Sequence, residues 1–271
     1  MKEKQRRIKY ELEIDQARNS IIKKHKKCKG TGFLSESSLN KSGLASQKKM
    51  RPCSCRKKFD TVSKFLISNI PYESLTNQQI YGKKVIDVLA KKKIELRNEI
   101  IFPYVKNLKS VLVNPYGLLF LGKNGTGKTF IGLKVLYYAI VEGFTAHNIE
   151  MVEYLKIARK NFDRDRDNEI LLNEISTVDI LLLDEVGNES KRSDFVISEF
   201  KALYKKRVNL RKPTIIITNY DYDNFKKIYG KSISNMVQSH CRIFNFSEAI
   251  DVRKTKCTEE MNIFFKNLKK G

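Results

Sequence analysis

The chain has 271 residues, 41% of them hydrophobic, with a net charge of +23 and a pI near 9.7. That length suits one large core plus a small extra module, or two modest domains. The charge favours polyanionic partners, either nucleic acid or an acidic protein face. A lysine-rich coding bias that merely leaves a solvated basic surface is the competing explanation. The longest apolar run is far short of the ~20 residues that span a bilayer, so no membrane role is expected. A charged N-terminus does not read as a signal peptide. The expectation is a cytosolic protein whose five cysteines do not form disulfides.

Charge concentrates at the front, where residues 1–66 hold 19 Lys and Arg against 6 Asp and Glu. Ile8, Leu12, Ala17 and Ile21 recur among charges at helical spacing, which predicts an amphipathic helix over about 5–24. His25 and Cys28 follow as H-x2-C; after 24 intervening residues Cys53 and Cys55 form C-x-C. Two close pairs of soft or borderline ligands, each beside a turn former (Gly30 and Gly32, then Pro52), suit a tetrahedral structural Zn²⁺. A segment this polar gains from a metal the free energy that its small core lacks. C-x-C is less common than C-x2-C, and His25 lies in a lysine run, so an unliganded, solvent-exposed His25 stays open. Gly32 to Met50, rich in Ser, Lys and Gly, reads as a long mobile loop. A helical connector is expected from Phe59 to Leu108, densest in helix formers over Tyr81–Arg97.

Leu118–Leu121 is a short apolar run of the kind buried on both faces of a sheet. It leads into Gly122-Lys-Asn124-Gly125-Thr126-Gly127-Lys128-Thr129, which fills the G-x-x-x-x-G-K-[ST] pattern. Glycines let the backbone turn its N–H groups onto phosphate oxygens, and the following helix adds its positive end. In that motif Lys128 reaches the β and γ phosphates and Thr129 ligates Mg²⁺. The expected ligand is therefore ATP with Mg²⁺. A strand near 144–149 comes next, then helices over Met151–Phe162 and Glu169–Ile175. The charged stretch 163–168 between those helices reads as a solvated turn.

Val178–Leu183 is an apolar strand ending in Asp184-Glu185. In that pattern Asp184 holds Mg²⁺ and Glu185 activates the attacking water. Residues 213–218 form a further strand ending at Asn219, placed to touch the γ-phosphate or the water. An asparagine there is also an ordinary turn former. A last strand is expected near 243–246. Strands alternating with helices imply an α/β fold, a five-stranded parallel sheet flanked by helices and preceded by a small helical, zinc-binding module. Cys241 and Cys257 have no close partner and read as buried or incidental.

GKNGTGKT, ILLLDE and PTIIITN, in this order, resemble the AAA+ ATPases. Within those, the chain is similar to the bacterial and phage helicase loaders of the DnaC/DnaI type and to their IstB-type transposition relatives. Ile70-Pro71-Tyr72 ahead of Tyr104–Leu108 resembles that group's lead-in segment, and phage members often carry a cysteine cluster at the front. The resemblance covers roughly residues 65–255; the front module matches only in ligand pattern. It implies a basic partner-binding module over 1–60, a connector over 61–108 and an AAA+ ATPase domain over 109–271. It also implies an ATP-dependent loader in the bacterial cytoplasm, with a phage origin left open, which binds a hexameric replicative helicase and single-stranded DNA and self-associates with ATP. The alternatives are an IstB-like ATPase that regulates a transposase on duplex DNA, and a structural adaptor that binds nucleotide without hydrolysing it. The family has a trans-acting arginine just after a serine near Ser232–Met236, where this chain has Asn235; Lys231 and Arg242 are the alternative sources of the missing charge. Asp251-Val252-Arg253 matches the family's later Asp-x-Arg, which implies a cis contact from Arg253 to the γ-phosphate, although a plain surface arginine fits as well. Loss of the charge at position 235 implies a nucleotide switch with weak intrinsic ATPase activity.

Overall fold

The computed structural model describes residues 12–36, 49–70, 102–113, 116–160, 166–189 and 193–246. The chain divides into two compact units, Met1–Asn69 and Ile70–Gly271.

In the first unit, helix α1 covers 12–18 and widens into a π-turn, Asn19–Lys23. A 3-10 turn, Lys26–Cys28, ends at Lys29 in the left-handed region, φ 49°. Strands β1 (Phe33–Glu36) and β2 (Lys49–Pro52) then pair antiparallel, with Phe33 opposite Pro52. Gly32–Met50 is thus not all loop, because its two ends form most of a hairpin. Composition hid the pairing, which the converging cysteines on either side impose. Helix α2 (Ser54–Ile67) starts within the C-x-C pair, five residues ahead of the expected connector, with Cys53 as N-cap. It crosses residue 60 without a break, and the unit runs on to Asn69.

In the second unit, α3 (Phe102–Lys106) and α4 (Leu108–Val113) precede the sheet. Its strands are β3 (Gly117–Leu121), β4 (Ala146–Glu150), β5 (Ile180–Asp184), β6 (Thr214–Ile217) and β7 (Cys241–Asn245). All neighbours are parallel, in the order β4-β5-β6-β3-β7. The inner strands β3, β5 and β6 are buried throughout, whereas the edge strands β4 and β7 are buried only in part. This explains why the inner strands read as unbroken apolar runs. Helices α5 (Lys128–Val141), α6 (Met151–Lys160), α7 (Arg166–Thr177), α8 (Asp194–Asn209) and α9 (Tyr222–His240) are the crossovers and flanks. Leu119, Leu183, Ile216, Phe200 and Phe225 lie in the core between sheet and helices.

The expected turn over 163–168 is corrected in part, since α7 already begins at Arg166 and buries Asn168. Asp167 and Glu169 favour that start by facing the positive end of the helix. Residues 5–11 of the first expected helix, the stretch Tyr81–Arg97, and Asp251, Arg253 and Cys257 lie outside the described residues.

Candidate nucleotide site and metal centre

The sheet register brings three strand ends together. Thr218 N–H bonds to the Phe120 carbonyl at 3.0 Å, and Val186 N–H to the Ile217 carbonyl at 2.9 Å. The residues after β3, β5 and β6 therefore share one edge, where parallel sheets bind ligands. Gly127 caps α5 with φ 89°, a left-handed conformation that a side chain would strain.

Lys128 is buried, and its ammonium donates to the carbonyls of Gly122 (2.5 Å) and Lys123 (2.7 Å) and to Asn219 Oδ1 (3.2 Å). The loop stays compact through Thr126, whose hydroxyl bonds to the Lys123 carbonyl at 2.9 Å. Gly125 is buried in this loop, while Asn124 faces solvent. Thr129 Oγ1 donates to Asp184 Oδ2 at 2.8 Å, and the Glu185 N–H donates to Asp184 Oδ1 at 2.8 Å. Burial holds the Asp184 carboxyl above the ordinary range; Glu185 adds to this, while the Thr129 bond and Lys128 oppose it. A hydroxyl and a buried carboxylate in contact are hard oxygen donors that fit Mg²⁺. Glu185 is exposed and held at φ 55°, a conformation rare outside glycine.

Two neighbours of the site escaped the sequence reading. Glu150 ends β4 in register with Asp184, and burial, Glu185 and Asp184 raise its pKa. A strand ending in Glu was the available signal, but only the pairing of β4 with β5 gives it meaning. Glu189 accepts from Gly187 N–H (3.1 Å) and from the Tyr229 hydroxyl (3.2 Å), which ties the loop after β5 to α9. Helix α9 breaks its helical conformation at the next residue, Gly230 (φ 79°, ψ 164°). Lys231 and Asn235 follow this break, both exposed. Arg242 pairs with Leu118 near the start of β3, at the end of the sheet away from Gly122. Cys241 is buried, with its sulfur 3.3 Å from the Tyr204 hydroxyl.

In the first unit, His25, Cys28, Cys53 and Cys55 converge, with all four potential ligand atoms within 4.8 Å of one another. Cys28 Sγ lies 3.5 Å from Cys55 Sγ and 3.6 Å from His25 Nδ1; Cys53 Sγ is 3.5 Å from the same nitrogen. Zn–S and Zn–N bonds of about 2.3 and 2.0 Å give tetrahedral edges of about 3.5–3.8 Å, so the residues fit the ion. The sulfurs are free thiols, too far apart for a disulfide. Burial raises the Cys28 thiol, but the Gly32 backbone, His25 and Cys55 bring it down to about 6. Cys55 is pushed up to about 12 by burial and by the neighbouring Cys28 and Cys53. Crowded thiols cannot all ionise without a cation between them, so the cluster has the electrostatics of a metal site.

The sheet, the phosphate loop and the paired carboxylate strand define a P-loop fold of the AAA+ class. No family model matches the chain. It is 26% identical over 128 residues to the replicative helicase loader DnaC of Escherichia coli (strain K12), covering 46% of this chain and 51% of that one. Against the DnaC of Buchnera aphidicola subsp. Baizongia pistaciae it is 27% identical over 124 residues, covering 44% and 49%. Each match spans about half of the relative's length. A crystal structure of the DnaC helicase loader shares the fold, with a TM-score of 0.50 and 20% identity, covering 60% of this chain and 99% of that one. Over about half of their length the chain is thus homologous to DnaC-type helicase loaders, and it shares their AAA+ fold.

Proposed function

We propose that the chain is an ATP-dependent loader of a replicative DNA helicase, working as a slow nucleotide switch. The observation that carries this reading is the assembled site: Lys128 on Asn219 and Thr129 on Asp184, in a chain homologous to DnaC. The Gly122–Gly127 loop cradles the phosphates. Lys128 exchanges the Gly122 and Lys123 carbonyls for phosphate oxygens, which frees Asn219 to sense the terminal phosphate. Thr129 and Asp184 hold Mg²⁺, which would offset the charge of the phosphates and polarise them. Glu185, exposed beside them, orients the attacking water. Arg253, by the resemblance of its motif, would contact the γ-phosphate in cis.

Asn235 brings no charge to a neighbouring subunit, so turnover is slow without a partner. His25, Cys28, Cys53 and Cys55 hold a structural Zn²⁺ that shapes the front unit as the contact for a hexameric helicase. In the ATP state the core self-associates and holds single-stranded DNA, in a bacterial cytoplasm. Binding changes which contacts are made, and hydrolysis resets them.

The test is co-purification with the hexameric helicase of the native cell, with and without an ATP analogue, beside the Lys128→Ala variant. Recovery of the helicase that depends on nucleotide and fails in Lys128→Ala is the expected result. No helicase, with long ATP-dependent filaments on duplex DNA instead, would favour the transposase-regulator reading. Turnover of many ATP per second by the isolated protein would overturn the role given to Asn235.

A further inference from the structure

The front unit carries more charge than a metal knuckle needs. Between Gln16 and Ser35 the sequence has no carboxylate, and neither does the stretch from Met50 to Phe59. Lys23, Lys24, Lys26, Lys27 and Lys29 are all exposed. They project from one closed turn, because the Lys23 carbonyl lies 3.1 Å from where a Gly30 side chain would begin. His25 and Cys28, both in the four-ligand cluster, lie among them and fix the turn.

Arg56 adjoins the turn: a side chain on Gly32 would meet Ile22 at 3.5 Å and the Arg56 Cβ at 4.0 Å. The Arg56 guanidinium stacks on Phe33, 4.6 Å from the ring centroid. Both residues are half-buried, so the pair keeps solvent-facing surface.

We infer that this turn and the Arg56–Phe33 pair form a second, nucleotide-independent grip for single-stranded DNA. Lysine is depleted in protein–protein interfaces, and ordering five long side chains against one protein surface is entropically costly. A phosphate backbone needs only point charges at intervals, and it rewards each with counterion release. A planar guanidinium on an aromatic ring is a stacking platform for an unpaired base, which an acidic protein face would not use. The inference goes beyond the loader reading and does not rest on it.

The experiment uses the full chain carrying Lys128→Ala, without nucleotide, so that ATP-driven binding by the core is silent. Anisotropy of a labelled oligothymidine strand is followed against salt. With five phosphates contacted, log affinity should fall against log salt with a slope of about −3.5. Adding Lys26→Glu and Lys27→Glu should weaken binding at least about tenfold and make the slope shallower by about 1.4. Arg56→Lys should keep the slope and weaken oligothymidine while leaving an abasic strand unaffected. Unchanged metal content and circular dichroism establish that the variants fold. Binding and slope unmoved by the lysine pair overturn the inference, as does equal or tighter binding of duplex. Normal DNA binding with loss only of helicase association makes the face a protein contact and overturns it too. Absence of any helicase complex in the wild type sinks the loader reading and leaves this readout intact.

Discussion

At the scale of single residues, the nucleotide site is closed on itself. Three acceptors surround the Lys128 ammonium, and Thr129 meets Asp184 directly. Replacing Lys128 with Ala removes a charge-assisted contact of about 1.5–3 kcal/mol, so ATP should bind about 10–100-fold more weakly in a fluorescent-nucleotide titration. Asn219→Ala should leave that affinity nearly unchanged and reduce hydrolysis. Asp184 behaves oppositely in the empty site. Burial raises its folded-state pKa, so the group's contribution to stability is present at low pH and is lost as pH rises through the raised value. Asp184→Asn should therefore raise the melting temperature of the nucleotide-free protein at neutral pH by about 2–4 °C, the shift expected from about 1 kcal/mol. It should also flatten the pH dependence and abolish stabilisation by Mg²⁺-ATP. A variant no more stable than the wild type, in a melting series across pH, would refute the burial argument.

At the scale of elements, Arg207 of α8 is the buried fastener of the sheet. It donates to the carbonyls of Ser176 (3.1 Å), Val178 (3.0 Å), Ile175 (3.4 Å) and Pro213 (2.7 Å), and to Thr214 Oγ1 (2.9 Å). One guanidinium thus holds the end of α7 and the entries to β5 and β6, and burial lowers its pKa to about 9. Arg207→Met strands those acceptors and should cost about 3–5 kcal/mol in urea unfolding. Arg207→Lys, with three donors and no planar fork, should fall between. Nucleotide affinity of the folded fraction should be retained, because the phosphate loop lies at the other end of these strands. The spacing of Val196, Phe200, Leu203 and Tyr204 puts Arg207 rather than Lys205 or Lys206 on the buried face of α8, but the acceptors it finds depend on α8 crossing the starts of two strands. The strands and the phosphate loop were legible for the converse reason. Leu118–Leu121 and Ile180–Leu183 are inner strands buried on both faces, so position and composition agree. The edge strands β4 and β7 are buried only in part, and they begin two residues later and two earlier than expected. The hairpin of β1 and β2 was illegible, because polar strands four residues long carry no periodicity of their own. Glu150 and the Glu189–Tyr229 contact depend on strand order and on the kink of α9, which no local pattern encodes.

At the scale of the molecule, the two units rest on different physics. The second has a core of aliphatic and aromatic residues between a five-stranded sheet and its helices. Among the described residues, the buried cluster of the first consists of Ile22, Cys28, Cys53 and Cys55, with Ile21, Leu34 and Phe59 packed against it, so three of its four buried members are proposed metal ligands. A core this small cannot offset the chain entropy of the unit without a cation. Chelation should therefore unfold Met1–Asn69 and leave the sheet intact, with hydrogen exchange rising in α2 and unchanged in β3, β5 and β6. ATP should shift only the transition of the second unit, by mass action on its folded state. Metal loading must also deprotonate Cys55, whose thiol is held to about 12 in the empty cluster. Zinc affinity should consequently weaken as pH falls, and loading should release protons measurable in a weakly buffered titration. A single transition shifted equally by chelator and by ATP would show that neither unit folds alone. The front unit would then draw its stability from the core as well as from its metal-bound cysteines.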